Sequence, residues 1–205
     1  MDERSAWQSR NREGLDFHKS FELRQQSDEF QAVGSLFRKT LTAHQIDRID
    51  RIENGPQHEV YSVHKRNVQR KLGDAFNKST MIRLLFHGTT ESACKSIIES
   101  DVAGFQPLLA GEATGAVWGD GTYFARDAKY SDDYACTLPS GQKQMLVAEV
   151  VVGRWTKGAK GIKIYPELPG SFQRYDSLVN DEADPSIFVV QHSSAAYPAY
   201  LIYYH

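Results

Sequence analysis

The chain changes character after Asn77. Before it, apolar residues recur at helical spacing. After it come short runs rich in β-branched and aromatic residues, among them MLVAEVVVG (145–153), IFVV (187–190) and AYLIYY (199–204). Helical patterns followed by a series of strands predict an α+β fold, because alternating units would interleave the two periods. Phe30, Val33, Phe37 and Leu41 predict a first helix, with Ser27 or Asp28 as its N-cap. A second helix is predicted from Pro56 to Lys71, with Pro56 in its first turn and Val60, Tyr61, Val68 and Leu72 inside. Its basic residues Lys65, Arg66, Arg70 and Lys71 read as a solvated face. Between the helices, Ile46, Ile49 and Ile52 recur every three residues, a spacing that periodicity alone leaves open. Residues 1–20 are polar and aperiodic. They read as an N-terminal arm, leaving 21–205 as a single domain.

Hydrophobic residues make up 40% of the 205 positions, enough for a core without disulfide or metal staples. The net charge is −2, and residues 1–80 carry 14 basic and 12 acidic groups. Neither part of the chain sets up a field suited to a polyanion or a membrane surface. The start, MDERSAWQSRNREG, has no apolar segment of the signal-peptide kind, and no apolar run approaches a membrane span. The two cysteines, Cys94 and Cys136, form no C-x-x-C pair. An intracellular protein, cytoplasmic or nuclear and not secreted, is expected.

Several familiar chemistries are excluded by spacing. Gly119 and Gly121 would need a glycine at 124 to make G-x-G-x-x-G, and that position is Phe124. There is no phosphate-binding G-K-[ST] loop and no G-x-S-x-G elbow. His58-Glu59 would need a histidine at 62 to form a zinc helix, and Ser62 stands there. No metal site is expected.

What remains is an ordered set: LLFHGT with His87, Gly88 and Thr89, then WGDGTYFARDAKYS with Tyr123 and Ser131, then Tyr134. LVAEVVVG, YDSLV, Asp184-Pro185-Ser186 before IFVV, and AYPAYLIYY follow in turn, with Ile46, Ile49, Arg51, Ile52 and Asn54 upstream. Singly, each has a structural alternative: a histidine can end a strand, a serine can cap a helix, and tyrosines can pack half-buried. As an ordered set over residues 20–205, the chain resembles the catalytic domain of the poly(ADP-ribose) polymerase family, the diphtheria-toxin-like ADP-ribosyltransferases. The resemblance implies two packed, mainly antiparallel β-sheets with flanking helices, and NAD+ as co-substrate without a metal. It implies that the Gly88 backbone holds the nicotinamide carboxamide, where a side chain would block close approach. Ser131 would add a hydroxyl, while Tyr134, three residues on, and Tyr123 would wall the nicotinamide. His87 would hold the adenosine ribose with Thr89 beside it, and the loop 106–117 would line the pocket.

The polymerases of this family complete a His-Tyr-Glu set with a glutamate on a late strand. Ile187 stands at that place here, so His87, Tyr123 and Ile187 form the expected catalytic set. Isoleucine offers neither an acceptor for a ribose hydroxyl nor a base for elongation, and Glu182 and Asp184 on the preceding loop are conceivable substitutes. Family members with an aliphatic third residue are generally single-unit transferases. The resemblance therefore implies mono-ADP-ribosylation of protein side chains, with release of nicotinamide. The acceptors would be proteins, with the chain itself one candidate, and neither membrane nor nucleic acid would be required. The rival readings are a non-catalytic NAD+-binding or interaction module of the same fold, and a transferase acting on nucleic-acid ends. Only about 80 residues precede His87 and they match the transferase region, so activity independent of DNA breaks is expected.

Overall fold

The computed structural model describes residues 7, 18–107 and 115–205. In chain order it contains β1 (His18–Glu22), α1 (Asp28–Arg38), β2 (Ile46–Asn54), α2 (Gly55–Leu72), α3 (Lys78–Met81) and β3 (Ile82–His87). Then follow α4 (Glu91–Glu99), β4 (Thr122–Ala125), α5 (Ala128–Asp132), β5 (Lys143–Val151), β6 (Trp155–Lys157), β7 (Ser177–Val179), β8 (Ile187–Val190) and β9 (Ala196–Tyr204). The α+β expectation holds. The strands form one sheet in the order β1-β2-β9-β5-β3-β4-β8-β7-β6, antiparallel throughout except between β6 and β7. Where two sheets were expected, two groups of strands meet at a narrow seam, the single ladder pair Phe86 and Ala125 between β3 and β4.

The strand run 145–152 is buried on both faces because helices cover both. Met145 and Val147 pack with Phe30, Val33 and Phe37 of α1, while Leu146, Ala148 and Val150 pack with Cys94, Ile97 and Ile98 of α4. The run is interrupted by Glu149, which accepts hydrogen bonds from Tyr61 (2.6 Å) and Lys65 (3.2 Å) of α2. Lys65 is thus buried, not part of a solvated face, although Arg66 and Arg70 are exposed as expected. A lysine ammonium can be buried here because a carboxylate meets it.

The ambiguous isoleucines lie on β2. A β-bulge between Ile46 and Arg48 brings Ile46 onto the same face as Ile49, in the α1 cluster. The odd spacing then turns Ile52 to the α4 cluster. Three residues apart is therefore neither helix nor simple alternation. Both helix starts follow capping chemistry: Ser27 Oγ accepts from the Phe30 amide, and Asn54 Oδ1 accepts from the Gln57 amide. Asn54 also donates to the carbonyls of Ile98 and Ser100, tying the start of α2 to the end of α4. Arg51 bridges Glu29 (2.7 Å) and Glu53 (3.0 Å), so the Arg51–Asn54 segment joins elements. The expected arm, residues 1–20, overlaps β1 in its last three positions, and Trp7 stacks on Tyr197 at 6.3 Å. Among the described residues no helix is long and apolar enough to cross a membrane.

Candidate active site

The site forms around the seam. β3 ends on His87, one residue past the Phe86–Ala125 pair, and β4 carries Tyr123 and Ala125. Across β4, Ala125 pairs with Ile187 and Tyr123 with Val189 of β8. The strands thus gather the three expected residues from positions far apart in sequence. The joins differ in kind. His87 Nδ1 bonds the Tyr123 carbonyl at 2.8 Å, whereas Tyr123 and Ile187 share an apolar cluster with Tyr165, Leu178 and Val189. The His87 ring lies against Phe105 (5.4 Å) and Phe124 (5.5 Å) of the neighbouring cluster.

A carbonyl oxygen can only accept, so Nδ1 carries the proton and Nε2 keeps its lone pair. Burial holds the His87 pKa below the ordinary histidine value, against the opposing pull of the Tyr123 carbonyl. His87 is then a neutral acceptor at physiological pH. Tyr123 is fixed at its far end: its hydroxyl donates to the Gly119 carbonyl (2.8 Å) and accepts from the Trp118 amide (2.9 Å). Gly119 and Gly121 sit at φ +103° and +151°, and a β-carbon on Gly121 would stand 2.6 Å from the Val190 carbonyl oxygen. The turn that positions Tyr123 therefore needs glycine.

Gly88 is packed from the protein side. A β-carbon there would lie 1.9 Å from the Ser131 carbonyl oxygen, so the start of the His-Gly-Thr segment lies directly on α5. Ser131 is buried on α5, and the Tyr134 amide donates to its carbonyl in the turn that continues the helix. Tyr134 follows the end of α5 and does not belong to it. Thr89 contributes a carbonyl that accepts from the Cys136 amide (3.3 Å), and Thr90 caps α4. Of the expected pocket-lining loop 106–117, residues 108–114 lie outside the described residues.

Three contributions were given no role by the sequence. Tyr130 stands against Tyr134 with ring centroids 5.5 Å apart; burial, and next its hydrogen bond to Tyr134, push its phenol pKa up. Its place in KYSDDY, one turn before Tyr134, was the signal available. Asn180 Oδ1 accepts from the amides of Ser186 (3.0 Å) and Ile187 (2.9 Å), fixing the start of β8. Next to Ile187 a cavity of about 380 Å³ opens, lined also by Thr40, Asp127, Lys129, Tyr130, Asp133 and Ser186. The two conceivable carboxylate substitutes are occupied. Glu182 accepts from the Thr156 hydroxyl (2.7 Å) and the Lys157 amide (2.8 Å), and Asp184 pairs with Arg126. No group of three or more His, Cys, Asp or Glu side chains suited to a metal occurs among the described residues.

Comparison with known proteins follows the same lines. Protein mono-ADP-ribosyltransferase PARP12 of Mus musculus is 35% identical over 187 residues, covering 91% of this chain and 25% of the relative. PARP11 of Mus musculus, also named a protein mono-ADP-ribosyltransferase, is 34% identical over 204 residues, covering 89% of this chain and 59% of the relative. Homo sapiens PARP14, named likewise, is 30% identical over 185 residues, covering 88% of this chain and 10% of the relative. The chain spans about a quarter of the length of its PARP12 relatives. The catalytic-domain family itself matches residues 27–160, a span that holds His87, Tyr123 and Tyr134 and ends before Ile187. By that match this chain belongs to the poly(ADP-ribose) polymerase catalytic-domain family.

Proposed function

We propose that the domain transfers one ADP-ribose unit from NAD+ to a protein side chain and releases nicotinamide. The observation that carries this reading is the His87–Tyr123 bond, which leaves Nε2 of a neutral imidazole free to accept from a ribose hydroxyl. NAD+ supplies the glycosidic bond to be broken. Every other element of catalysis is positioning by this chain. Gly88 offers a backbone amide and carbonyl held against α5, Tyr123 offers a ring pinned through its hydroxyl, and Tyr134 offers a second ring braced by Tyr130. These groups fit a flat carboxamide-bearing ring and its ribose.

Transfer of a single unit follows from Ile187. Buried in the cluster with Tyr123, it supplies no carboxylate to activate a hydroxyl of a growing chain, and Glu182 and Asp184 are held elsewhere. The names of the PARP12, PARP11 and PARP14 relatives, each a protein mono-ADP-ribosyltransferase, support the same conclusion. The cavity beside Ile187 is a fitting entrance for the acceptor side chain. Free Cys94 and Cys136 support a reducing, intracellular compartment. Incubation with NAD+ and intact-mass analysis tests the reading. Discrete single ADP-ribose increments and nicotinamide release, both lost in His87→Ala, are expected. A polymer ladder would rule out the single-unit assignment, and NAD+ binding without nicotinamide release would make the domain a binding module.

A further inference from the structure

We propose that residues 157–174 form a docking arm for the acceptor protein, taking an acidic stretch that carries an apolar side chain. The inference rests on the reading of the domain as a protein ADP-ribosyltransferase.

The two most exposed large hydrophobic side chains among the described residues both lie in this segment: Phe172 at 96% and Ile164 at 68%. One exposed apolar residue is ordinary; two on one hydrogen-bonded protrusion form a surface. The protrusion is well held. Leu168-Pro169-Gly170-Ser171 makes a turn closed by the Ser171 amide on the Leu168 carbonyl (3.0 Å), with Gly170 at φ +69°. Proline second and a positive-φ glycine third describe a type II turn. Below it, the Leu168 amide donates to Gln173 (2.7 Å), the Tyr175 amide to Pro166 (3.1 Å), and Arg174 to the Tyr165 carbonyl (2.6 Å). Tyr165 is buried and anchors the base through its hydroxyl on the Val189 carbonyl (2.7 Å). Phe172 is thus displayed on a braced hairpin, and among the described residues no contact accounts for it.

The charge points to the partner. The segment holds four basic residues, Lys157, Lys160, Lys163 and Arg174, and one acid, Glu167, in a chain whose net charge is −2. Glu167 is taken by Arg174 at 3.0 Å, while among the described residues Lys160 and Lys163 are exposed and have no acidic partner. Two free cations and two exposed apolar side chains carried on one segment complement an acidic peptide with an apolar anchor. A single-stranded nucleic acid would stack on Phe172 and leave Ile164 unused, so oligonucleotide binding that depends on Phe172 and not on Ile164, without peptide binding, overturns the proposal.

The position of the arm favours an acceptor over a bilayer. The Asp120 amide donates to the Ile162 carbonyl (2.9 Å), and Gln191 donates to the carbonyls of both Lys163 (2.5 Å) and Asp120 (3.3 Å). The arm therefore shares its base with the turn that pins Tyr123. A polypeptide held there lies beside the reacting site, where an acceptor must be.

The test uses the whole chain and a fluorescein-labelled peptide of Glu-Glu-Leu repeats, with Lys-Lys-Leu and Glu-Glu-Ser peptides as controls. Anisotropy is expected to show binding of Glu-Glu-Leu alone, weakened by salt. Binding should weaken about tenfold or more in Ile164→Ala/Phe172→Ala and in Lys160→Glu/Lys163→Glu. With NAD+, the same variants should raise KM for the peptide, leaving kcat and peptide-free nicotinamide release unchanged. Equal binding by wild type and variants, or equal binding of all three peptides, overturns the proposal. So does Phe172-dependent binding to phosphatidylserine vesicles without peptide binding, or Phe172-dependent self-association. Nicotinamide release with no peptide binding sinks the arm and leaves the transferase standing; peptide binding with no nicotinamide release does the reverse to the transferase.

Discussion

Gly88 has a carbonyl oxygen where its side chain would be. Because Ser131 O would sit 1.9 Å from a β-carbon, Gly88→Ala has to push α5 off the end of β3. The substitution is expected to cost about 1–3 kcal/mol of stability as overpacking does. It should also cut nicotinamide release at least about tenfold, since the same contact sets the distance between Gly88 and Tyr134. Gly55→Ala, with nothing within 4 Å of the added carbon, is the control: it should leave the rate unchanged and hold or slightly raise the melting temperature. His87 yields a pH prediction of definite sign. It accepts through Nε2 only when neutral, and burial lowers its pKa from the ordinary 6.5. Nicotinamide release should therefore stay level as pH falls through 6.5 and decline only below it. An acid limb of kcat/KM centred at or above 6.5 would contradict a buried acceptor imidazole.

Among the elements, α2 meets the loop after β8 through a pair of histidines. His64 and His192 have ring centroids 5.7 Å apart, and Ser194 Oγ lies 3.1 Å from His64 Nδ1, with Asp176 and Lys71 in electrostatic reach. Burial first, and His192 second, lower the His64 pKa to about 4. The unfolded chain takes up this proton near 6.5, before the folded one does. The His64 contribution is thus fully present above 6.5 and is lost progressively as pH falls toward 4. A melting-temperature series across that window should fall for the wild type and fall less steeply for His64→Gln. Parallel slopes would mean that the contact carries no such linkage. The same helix shows how an element's partners decide its surface: Lys65 is buried because Glu149 lies under it, while Arg66 on the next position faces water.

Across the whole molecule, two groups of strands depend on one ladder pair. Phe86 holds that pair, packs against Phe37 of α1 at 6.4 Å between ring centroids, and precedes His87. Phe86→Ala is expected to lower stability by about 3–5 kcal/mol. It should also loosen the His87–Tyr123 bond that crosses the seam. Denaturant midpoints and nicotinamide release measured together check this, and an unchanged midpoint would mean that the seam is not where the fold is held. Much of this architecture was legible in the linear sequence. The capped helix at Ser27 and the strand runs at 145–152, 187–190 and 199–204 obey local rules of period and capping, which depend only on near neighbours in the chain. The residues about the seam were named by their order, although order says nothing of contact. Tertiary structure alone decided the bulge that reconciles Ile46 with Ile49, the carboxylate beneath Lys65, the Ser131 oxygen over Gly88, the Asn180 clamp on Ile187 and the outward Phe172. Most of these are meetings between groups far apart in sequence, and the exposure of Phe172 is the lack of one. They follow from strand register and close packing, which no local period encodes.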